Sequence, residues 1–406
     1  MDRPRRCVLL KFGELALKGR NRPRFVNALE RNLRRMTADL GPIEVRHRGG
    51  VFIVSGDMPQ EELAERCLGL PGVSVVQPAL RCERDATAAA DAAVELLREL
   101  PGHTFAVRAT RRDKRFALRS IELARLLGDA VRVRLGLDVD LSNPDLELFV
   151  EVDHKELLVS VERLRGAGGL PVGTSGRALV LLSGGLDSPV AAYRMMKRGL
   201  RCDFVHFSGR PFTSPESIYK AYALVGRLDR FQGDSRLYVV TFGPAQRRLA
   251  TAGAGRLQVL SQRRLMVRVA AALGERLDAG ALVTGDSLGQ VASQTLPNLA
   301  VVEEAAQLPL LRPLIDRDKS EIVDAARALG TYDISILPDE DCCQLFTSKP
   351  ASTRGHPDDL RRIERTADIE ELVEQLAESA ELFHPTLEER AMVSAATPAS
   401  RGPSLG

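Results

Sequence analysis

Apolar and polar positions alternate in blocks along the chain, and the period of each block predicts an element. Arg6 to Phe12 is mostly apolar and reads as a strand. Phe25, Leu29, Leu33 and Met36 recur every three or four residues after Asn21, a natural N-cap. That spacing predicts an amphipathic helix, with Arg24, Arg31, Arg34 and Arg35 on its other face. Ile43 to Arg48 and Val51 to Ser55 read as a hairpin around Gly49-Gly50, and Glu61 to Leu68 as a short helix. Strands are then expected over Val73 to Leu80, Thr104 to Arg108, Leu146 to Val152 and Glu156 to Val161, and helices over Ala86 to Leu100 and Ser120 to Leu135. Leu164 to Arg177 is glycine-rich and reads as a linker.

Beyond the linker the pattern changes. Ala178 to Leu182 is a continuous apolar run, which suits a strand buried on both faces. Strands over Arg201 to Phe207, Ser235 to Phe242 and Gly280 to Thr284 alternate with helices over Pro215 to Arg230, Gly255 to Ala279 and Asp318 to Leu329. Such alternation predicts a parallel, doubly wound sheet with ligands at the C-terminal ends of its strands. The expected fold class is therefore α/β, with two small α+β domains in front of the doubly wound one. The expected boundaries are 1–57, 58–163, a linker at 164–177, 178–356, and an acidic helix with a flexible tail at 357–406.

Composition narrows the class. At 406 residues the chain is too long for one core, and 44% apolar with 27% charged residues is the balance of a globular protein. No apolar run approaches the roughly 20 residues of a membrane span, and the N-terminus lacks the pattern of a signal peptide. Six scattered cysteines, with no CxxC pair, fit a reducing cytoplasm and offer no metal site. Net charge is only +3, but residues 1–50 hold 13 Lys/Arg against 5 Asp/Glu, and 103–136 hold 9 against 3. Two basic blocks suit either a polyanion partner or solvated arginine-rich faces. The loop Arg108 to Phe116, with Arg111, Arg112, Lys114 and Arg115, poses the same choice between an exposed turn and a phosphate-backbone contact.

The chemistry concentrates after the buried strand. Ser183-Gly184-Gly185-Leu186-Asp187-Ser188 follows it directly, and Pro189 occupies an early helical position. Strand, glycine turn and helix in that order place backbone amides and the positive end of a helix dipole over the strand, which makes an anion site. The plainer reading is a helix cap behind a glycine turn. Ser183 and Ser188 add hydroxyls, and Asp187 a carboxylate that fits a cation beside polyphosphate. A Walker-type loop is excluded, because no Gly-Lys-Ser/Thr stands at the required spacing.

This motif resembles that of the PP-loop ATP pyrophosphatases, which cleave ATP between its α and β phosphates. Two further groups sharpen the likeness. Lys11-Phe12-Gly13-Glu14-Leu15 with Leu17-Lys18-Gly19 and Asn21-Arg22 resembles the N-terminal ferredoxin-like domain of tRNA 4-thiouridine synthetases, the tRNA sulfurtransferases. Phe105 to Ala109, Arg111 to Lys114 and Leu141 to Asp145 resemble that family's THUMP domain, which binds the acceptor end of tRNA. The likeness runs from about Arg6 to about Pro350.

The resemblance implies an ATP-dependent enzyme that adenylates uridine at tRNA position eight and replaces its 4-oxygen with sulfur, releasing AMP and pyrophosphate. It implies ATP and Mg²⁺ as cofactors, and ATP contacts at Leu181, Leu182, Ser183, Gly184, Gly185, Asp187, Ser188, His206, Phe207, Arg263, Gly285 and Gln294. Lys18, Arg20, Arg111, Arg112, Lys114 and Arg115 are the expected tRNA contacts. It also puts the sulfur-carrying cysteine at Cys343 or Cys342, and Asp187 beside it in the catalytic set. The acidic neighbours Asp339, Glu340 and Asp341 would raise a thiol pKa there unless a cation offsets them.

Longer relatives carry a C-terminal rhodanese domain, whereas here no cysteine follows Cys343, so a cysteine desulfurase is the expected persulfide donor. A sulfur-carrier protein of thiamine synthesis is a further implied partner, and a homodimer is compatible with the reading. Cluster-bearing relatives use a CxxC pair where this chain has Ser261 to Arg264, so no cluster is expected. Two alternatives stay open: another PP-loop tRNA-modifying synthetase, or an RNA-binding protein whose ATP site is inert.

Overall fold

The computed structural model describes residues 5–338, 345–347 and 350–385. Cys342 and Cys343, the acidic residues before them, and the tail beyond residue 385 lie outside the described residues. The chain divides into two compact units, meeting in sequence at Pro171 and Val172.

The first unit is built on one mixed sheet. Its elements in chain order are β1 (Arg6–Lys11), α1 (Arg22–Met36), β2 (Ile43–Arg48), β3 (Val51–Gly56), α2 (Gln60–Leu68), β4 (Val75–Cys82), α3 (Ala86–Leu97), β5 (Thr104–Arg111), α4 (Ser120–Leu135), β6 (Asp138–Val139), β7 (Leu146–Val152), β8 (Leu157–Ser160) and β9 (Leu164–Arg165). The strand order is β2-β3-β1-β4-β8-β7-β5-β6, with β9 on the flank of β4. Because β4 pairs with β1 on one side and β8 on the other, the two expected small domains share a single sheet. Alternation along β5 and β7 sends Phe105, Leu148, Val150 and Val152 into a core with the alanine-rich α3 and with Leu123, Leu127 and Val131 of α4. The side chain of Phe25 is only half-buried, because the buried stripe of α1 runs through Val26, Leu29, Leu33 and Met36 instead.

The glycine-rich stretch is less free than its composition predicts. Gly166 N–H donates to Ser74 O at 3.0 Å and Gly168 N–H to Val73 O at 2.7 Å, while Gly173 N–H reaches Gly199 O at 2.9 Å. A Cβ on Gly166 would lie 2.5 Å from Val73 O, so only glycine allows this approach.

The second unit contains β10 (Arg177–Leu181), α5 (Asp187–Met196), β11 (Arg201–Ser208), α6 (Glu216–Asp229), β12 (Leu237–Thr241), α7 (Gly243–Thr251), α8 (Gln258–Arg276), β13 (Leu282–Val283), α9 (Leu296–Glu304), β14 (Leu310–Leu311), α10 (Lys319–Leu329), α11 (Tyr332–Ser335), α12 (Pro357–Thr366), α13 (Ile369–Glu378) and β15 (Glu381–Phe383). The sheet order is β14-β13-β10-β11-β12-β15, parallel except for β15. The doubly wound α/β sheet is therefore present. Its order reverses between β10 and β13, and the crevice above such a reversal is where ligands bind.

Three details depart from the sequence reading. The long helix expected over 255–279 is a 3₁₀ turn at Gly255–Leu257 followed by α8. The helix α7 went unforeseen, because Gly243-Pro244 at its start reads as a breaker. The stretch expected as one acidic helix outside the doubly wound domain is instead two helices and a strand that fold into this unit up to Phe383. Leu360, Ile363, Ile369, Leu372 and Leu376 join its core, and β15 pairs antiparallel with β12. Apart from the buried Glu364, the acidic side chains form the solvent face of two amphipathic helices, and a count of charge alone does not show that the other face packs into the domain.

Candidate active site

The apolar β10 ends at Leu181, and the next residues are fixed before the helix begins. Leu182 N–H donates to Val205 O at 2.8 Å, and its carbonyl lies 3.0 Å from His206 Nδ1. The far nitrogen of His206, Nε2, is 3.2 Å from Ser217 Oγ. His206 is buried and braces the strand end from β11, and Phe207 packs edge-on against Phe242 in the core. The side chains of Leu182 and Phe207 are buried, so neither residue presents its side chain at the strand ends.

Helix α5 starts at Asp187, two residues earlier than Pro189 predicts, and the proline sits in the first turn, where its missing N–H costs nothing. Ser188, only 3% exposed, holds the turn closed. Its hydroxyl accepts from Ser183 N–H at 2.9 Å and lies 3.1 Å from Ser183 Oγ. Ser183 Oγ in turn accepts from Gly185 N–H at 3.3 Å, and Ser335 Oγ of α11 donates to Gly185 O at 3.3 Å. The turn is thus prebuilt around its two serines, with the start of a ten-residue helix behind it.

Across the sheet reversal, Gly285 follows β13. A Cβ at Gly285 would stand 2.8 Å from Ser188 N and 2.9 Å from Asp187 C. Two loops from neighbouring parallel strands meet there at backbone distance, which no other residue permits without displacement.

Asp187 projects from the first turn of α5. Lys319 Nζ, at the start of α10, donates to Asp187 Oδ1 at 3.1 Å, and Gln290 Nε2 donates to Oδ2 at 3.3 Å. Asp286, 5% exposed, forms a second carboxylate centre. Arg263 Nη2 and Gln294 Nε2 donate to its Oδ1 at 2.5 and 3.2 Å, and Thr284 Oγ1 and Arg312 Nε donate to Oδ2 at 2.9 and 3.4 Å. Arg263 also donates to Ser293 O at 3.0 Å. Arg263, Gly285 and Gln294 therefore converge on one crevice with the Ser183–Ser188 turn. The sequence clusters Asp286 with Gly285 and Gln294 after an apolar strand but gives it no role, and Lys319 and Arg312 were not anticipated. Lys319 lies inside a helix-capping pattern, Asp318-Lys319-Ser320-Glu321, which by itself signals only a helix start.

The described residues on either side of the cysteine segment contact the second unit at Lys220, Gln262 and Phe212. Lys220 Nζ donates to Leu337 O at 2.7 Å, and Gln262 Nε2 to Leu345 O at 3.3 Å. Phe346 stacks edge-on with Phe212 at 5.1 Å between centroids. The four described cysteines are unsuited to sulfur transfer. Burial pushes the thiols of Cys7, Cys67 and Cys82 up to about 12, and raises that of Cys202 as well.

In the first unit the basic loop is partly turned inward. Arg111 Nη1 donates to the carbonyls of Phe116 and Leu118 at 3.3 and 3.1 Å. Arg112 and Lys11 both pair with the buried carboxylate of Glu151, and burial pulls the Lys11 ammonium down to about 8. Arg84, Arg115 and His154 surround Asp113, which holds its carboxyl well below the usual range, chiefly through Arg115. Lys114 and Arg115 face solvent, as does Arg20; Lys18 is half-buried, with Nζ 5.1 Å over the Phe25 ring.

Comparison with known proteins matches three family models in series: "ThiI ferredoxin-like domain" over residues 7–76, "THUMP domain" over 83–162, and "Thiamine biosynthesis protein (ThiI)" over 173–369. The probable tRNA sulfurtransferase of Nocardia farcinica is 54% identical over 387 residues, covering 93% of this chain and 94% of that protein. That of Geobacillus kaustophilus is 39% identical over 378 residues, covering 92% and 94%. A crystal structure of a 4-thiouridine synthetase–RNA complex with bound ATP aligns with a TM-score of 0.85 at 33% identity, over 94% of this chain and 99% of that one.

Proposed function

The chain belongs to the tRNA sulfurtransferase family, and from that premise we propose that it uses ATP to convert a tRNA uridine, at position eight, to 4-thiouridine. The observation that carries this reading is the meeting of the Ser183–Ser188 turn with Asp187, Lys319 and the Arg263–Asp286 pair above one sheet reversal.

The chemistry asks for such a site. Oxide is a poor leaving group, so sulfur cannot displace the uridine 4-oxygen directly. Attack of that oxygen on the α-phosphorus forms an O–P bond and breaks the bond to the β-phosphate oxygen. Pyrophosphate leaves, and the base is now an activated ester. A sulfur nucleophile then attacks the ring carbon, and AMP departs with the original oxygen. Here the turn amides and the α5 dipole hold phosphate oxygens, Lys319 offsets charge on the departing pyrophosphate, and the Gly285 contact keeps both loops at the same height.

Among the described residues no three His, Cys, Asp or Glu converge as a metal site. Asp187, a single carboxylate at the turn, would be the protein's ligand to an Mg²⁺ held otherwise by triphosphate oxygens. Such an ion supplies charge neutralisation on the phosphates. Cys343 or Cys342 carries the sulfur as a persulfide received from a cysteine desulfurase. Once its outer sulfur has bonded to the ring carbon and AMP has left, a second thiol attacks the inner sulfur, so that the S–S bond breaks, a new disulfide forms and the thiouridine is released. The exposed Lys114 and Arg115, with Lys18 and Arg20, contact tRNA through its phosphates. The same carrier could feed sulfur to thiazole formation in thiamine synthesis.

The test is pyrophosphate release by the purified chain with ATP and unmodified tRNA, followed by nucleoside mass spectrometry after adding a persulfide donor. Release that depends on tRNA and yields 4-thiouridine is expected. Release no higher than in the absence of tRNA would overturn the proposal.

A further inference from the structure

Two of the residues proposed to hold nucleotide, Arg263 and Gln294, come from different elements, and neither is placed by its own neighbours alone. Arg263 lies on α8, and Gln294 lies in the 3₁₀ turn Ala292–Gln294 after β13. What they share is the Asp286 Oδ1 atom. The other oxygen of that carboxylate is fixed by Thr284 Oγ1 and Arg312 Nε, so it cannot rotate without breaking contacts.

The chemistry of a carboxylate then dictates the amide. An ionised carboxylate only accepts hydrogen bonds, so Gln294 must turn its NH₂ toward Asp286. Its carbonyl oxygen is left pointing elsewhere, and Oε1 is buried with no partner. A buried acceptor without a donor is costly unless a ligand supplies one.

We propose that Asp286 is the positioning residue of the nucleotide site. It holds the Arg263 guanidinium in place and forces Gln294 to present an acceptor, so that Gln294 reads a hydrogen-bond donor of the nucleoside. The inference rests on the proposed nucleotide site. Two donors fit the chemistry, a ribose hydroxyl and the adenine 6-amino group, and nucleotide analogues separate them.

The experiment measures equilibrium ATP affinity of the full chain and of Asp286→Asn, Arg263→Ala, Gln294→Ala and the pairwise combinations. Asp286→Asn keeps the shape of the side chain but lets the amide of Gln294 turn over. It is expected to weaken ATP about tenfold, the scale of a lost charged hydrogen bond. If Asp286 acts through its neighbours, adding Asp286→Asn to Arg263→Ala or Gln294→Ala costs less than the product of the single losses. Losses that multiply in both pairs, or an unchanged affinity in Asp286→Asn alone, overturn the inference. Thr284→Val, which removes one brace and keeps the charge, serves if Asp286→Asn does not fold, and is expected to weaken ATP a few-fold; no change overturns the inference.

In wild type, ITP or 2′-deoxy-ATP is expected to bind more weakly than ATP. The analogue whose handicap vanishes in Gln294→Ala names the donor, and a handicap that persists for both overturns the reading of Gln294. If neither Arg263→Ala nor Gln294→Ala affects ATP, the nucleotide site itself is wrong and the inference falls with it.

Discussion

Lys319 Nζ lies 3.1 Å from Asp187 Oδ1, although 132 residues separate the two in sequence. One sits at the first turn of α10 and the other at the first turn of α5, so both face the same crevice. A lysine paired with the carboxylate keeps the turn near neutral before a polyanion arrives. Asp187→Asn and Lys319→Ala are each expected to lower tRNA-dependent pyrophosphate release at least about a hundredfold, the scale of a lost electrostatic catalytic group. Neither should alter tRNA affinity, because the basic loop of the other unit is untouched. A matching fall in tRNA affinity, measured by filter binding, would show that the two roles are not separate.

Gly285 tests whether the two loops must touch. Gly285→Ala places a methyl 2.8 Å from Ser188 N, a backbone atom that cannot swing aside. The loops must part, so stability should fall by about 1–3 kcal/mol and the KM for ATP should rise. Gly280→Ala is the control, since its nearest neighbour, Arg177 O, is 3.9 Å away. Thermal melts and ATP titrations of the pair decide the matter. Equal behaviour of the two variants would contradict the proposed contact.

The basic loop divides into two kinds of residue. Arg112 is directed at the buried Glu151, so Arg112→Ala leaves that carboxylate short of a partner and should destabilise the first unit by about 3 kcal/mol. Lys114 is exposed, so Lys114→Ala should leave the melting temperature alone and lower the slope of tRNA affinity against log salt by about one. An unchanged salt slope in Lys114→Ala would take that residue out of the interface.

This division also marks where the sequence stops being legible. The glycine turn, the parallel strands and the grouping of Arg263, Gly285 and Gln294 near the Ser183–Ser188 turn follow from local pattern joined to family likeness. That Arg112 turns inward while Lys114 does not depends on Glu151, which lies on a strand reached only through the register of β5 with β7. Lys319 was missed for the same reason: its partner Asp187 is distant in sequence, and it stands in no motif whose spacing announces chemistry. Asp286 is visible in the polar cluster after the Gly280 to Thr284 strand, but its role depends on Arg263 and Arg312, which the fold alone brings to it. The helices α12 and α13 read as one acidic helix apart from the doubly wound domain because their acidic faces outweigh, in a charge count, the few apolar residues that anchor them.

The buried thiols give a prediction about sulfur. Because burial raises Cys7, Cys67 and Cys82 to about 12 and raises Cys202 too, almost no thiolate exists at these sites near pH 7.5. Brief iodoacetamide treatment of the native protein should leave all four unmodified by peptide mass spectrometry. Replacing each singly with alanine should preserve sulfur transfer, whereas one of Cys343→Ser and Cys342→Ser, the variant that removes the carrier, should abolish it. Loss of transfer in a folded Cys202→Ala or Cys82→Ala protein would move the sulfur carrier elsewhere.

Glu364 makes the case that the C-terminal helices belong to the enzyme rather than trailing from it. Arg264 is fully buried next to Arg263, and its guanidinium donates to both Glu364 oxygens at 2.6 and 3.1 Å and to Glu304 at 3.0 Å. Arg268 adds a further contact to Glu364 at 3.2 Å. Helix α8 therefore carries the arginine that pairs with Asp286 and, one residue on, an interior arginine whose charge is balanced from α12. Glu364→Ala leaves that interior cation without its main counter-ion, at a cost of about 3–5 kcal/mol. Glu364→Gln keeps the shape and half of the acceptors, and should cost less. A chain ended at residue 356 loses Glu364 and the strand pairing of β15 together, and should fail to melt cooperatively. Calorimetry of the three proteins gives the order, and a stable, ATP-binding chain ended at residue 356 would show that α12 and α13 are dispensable.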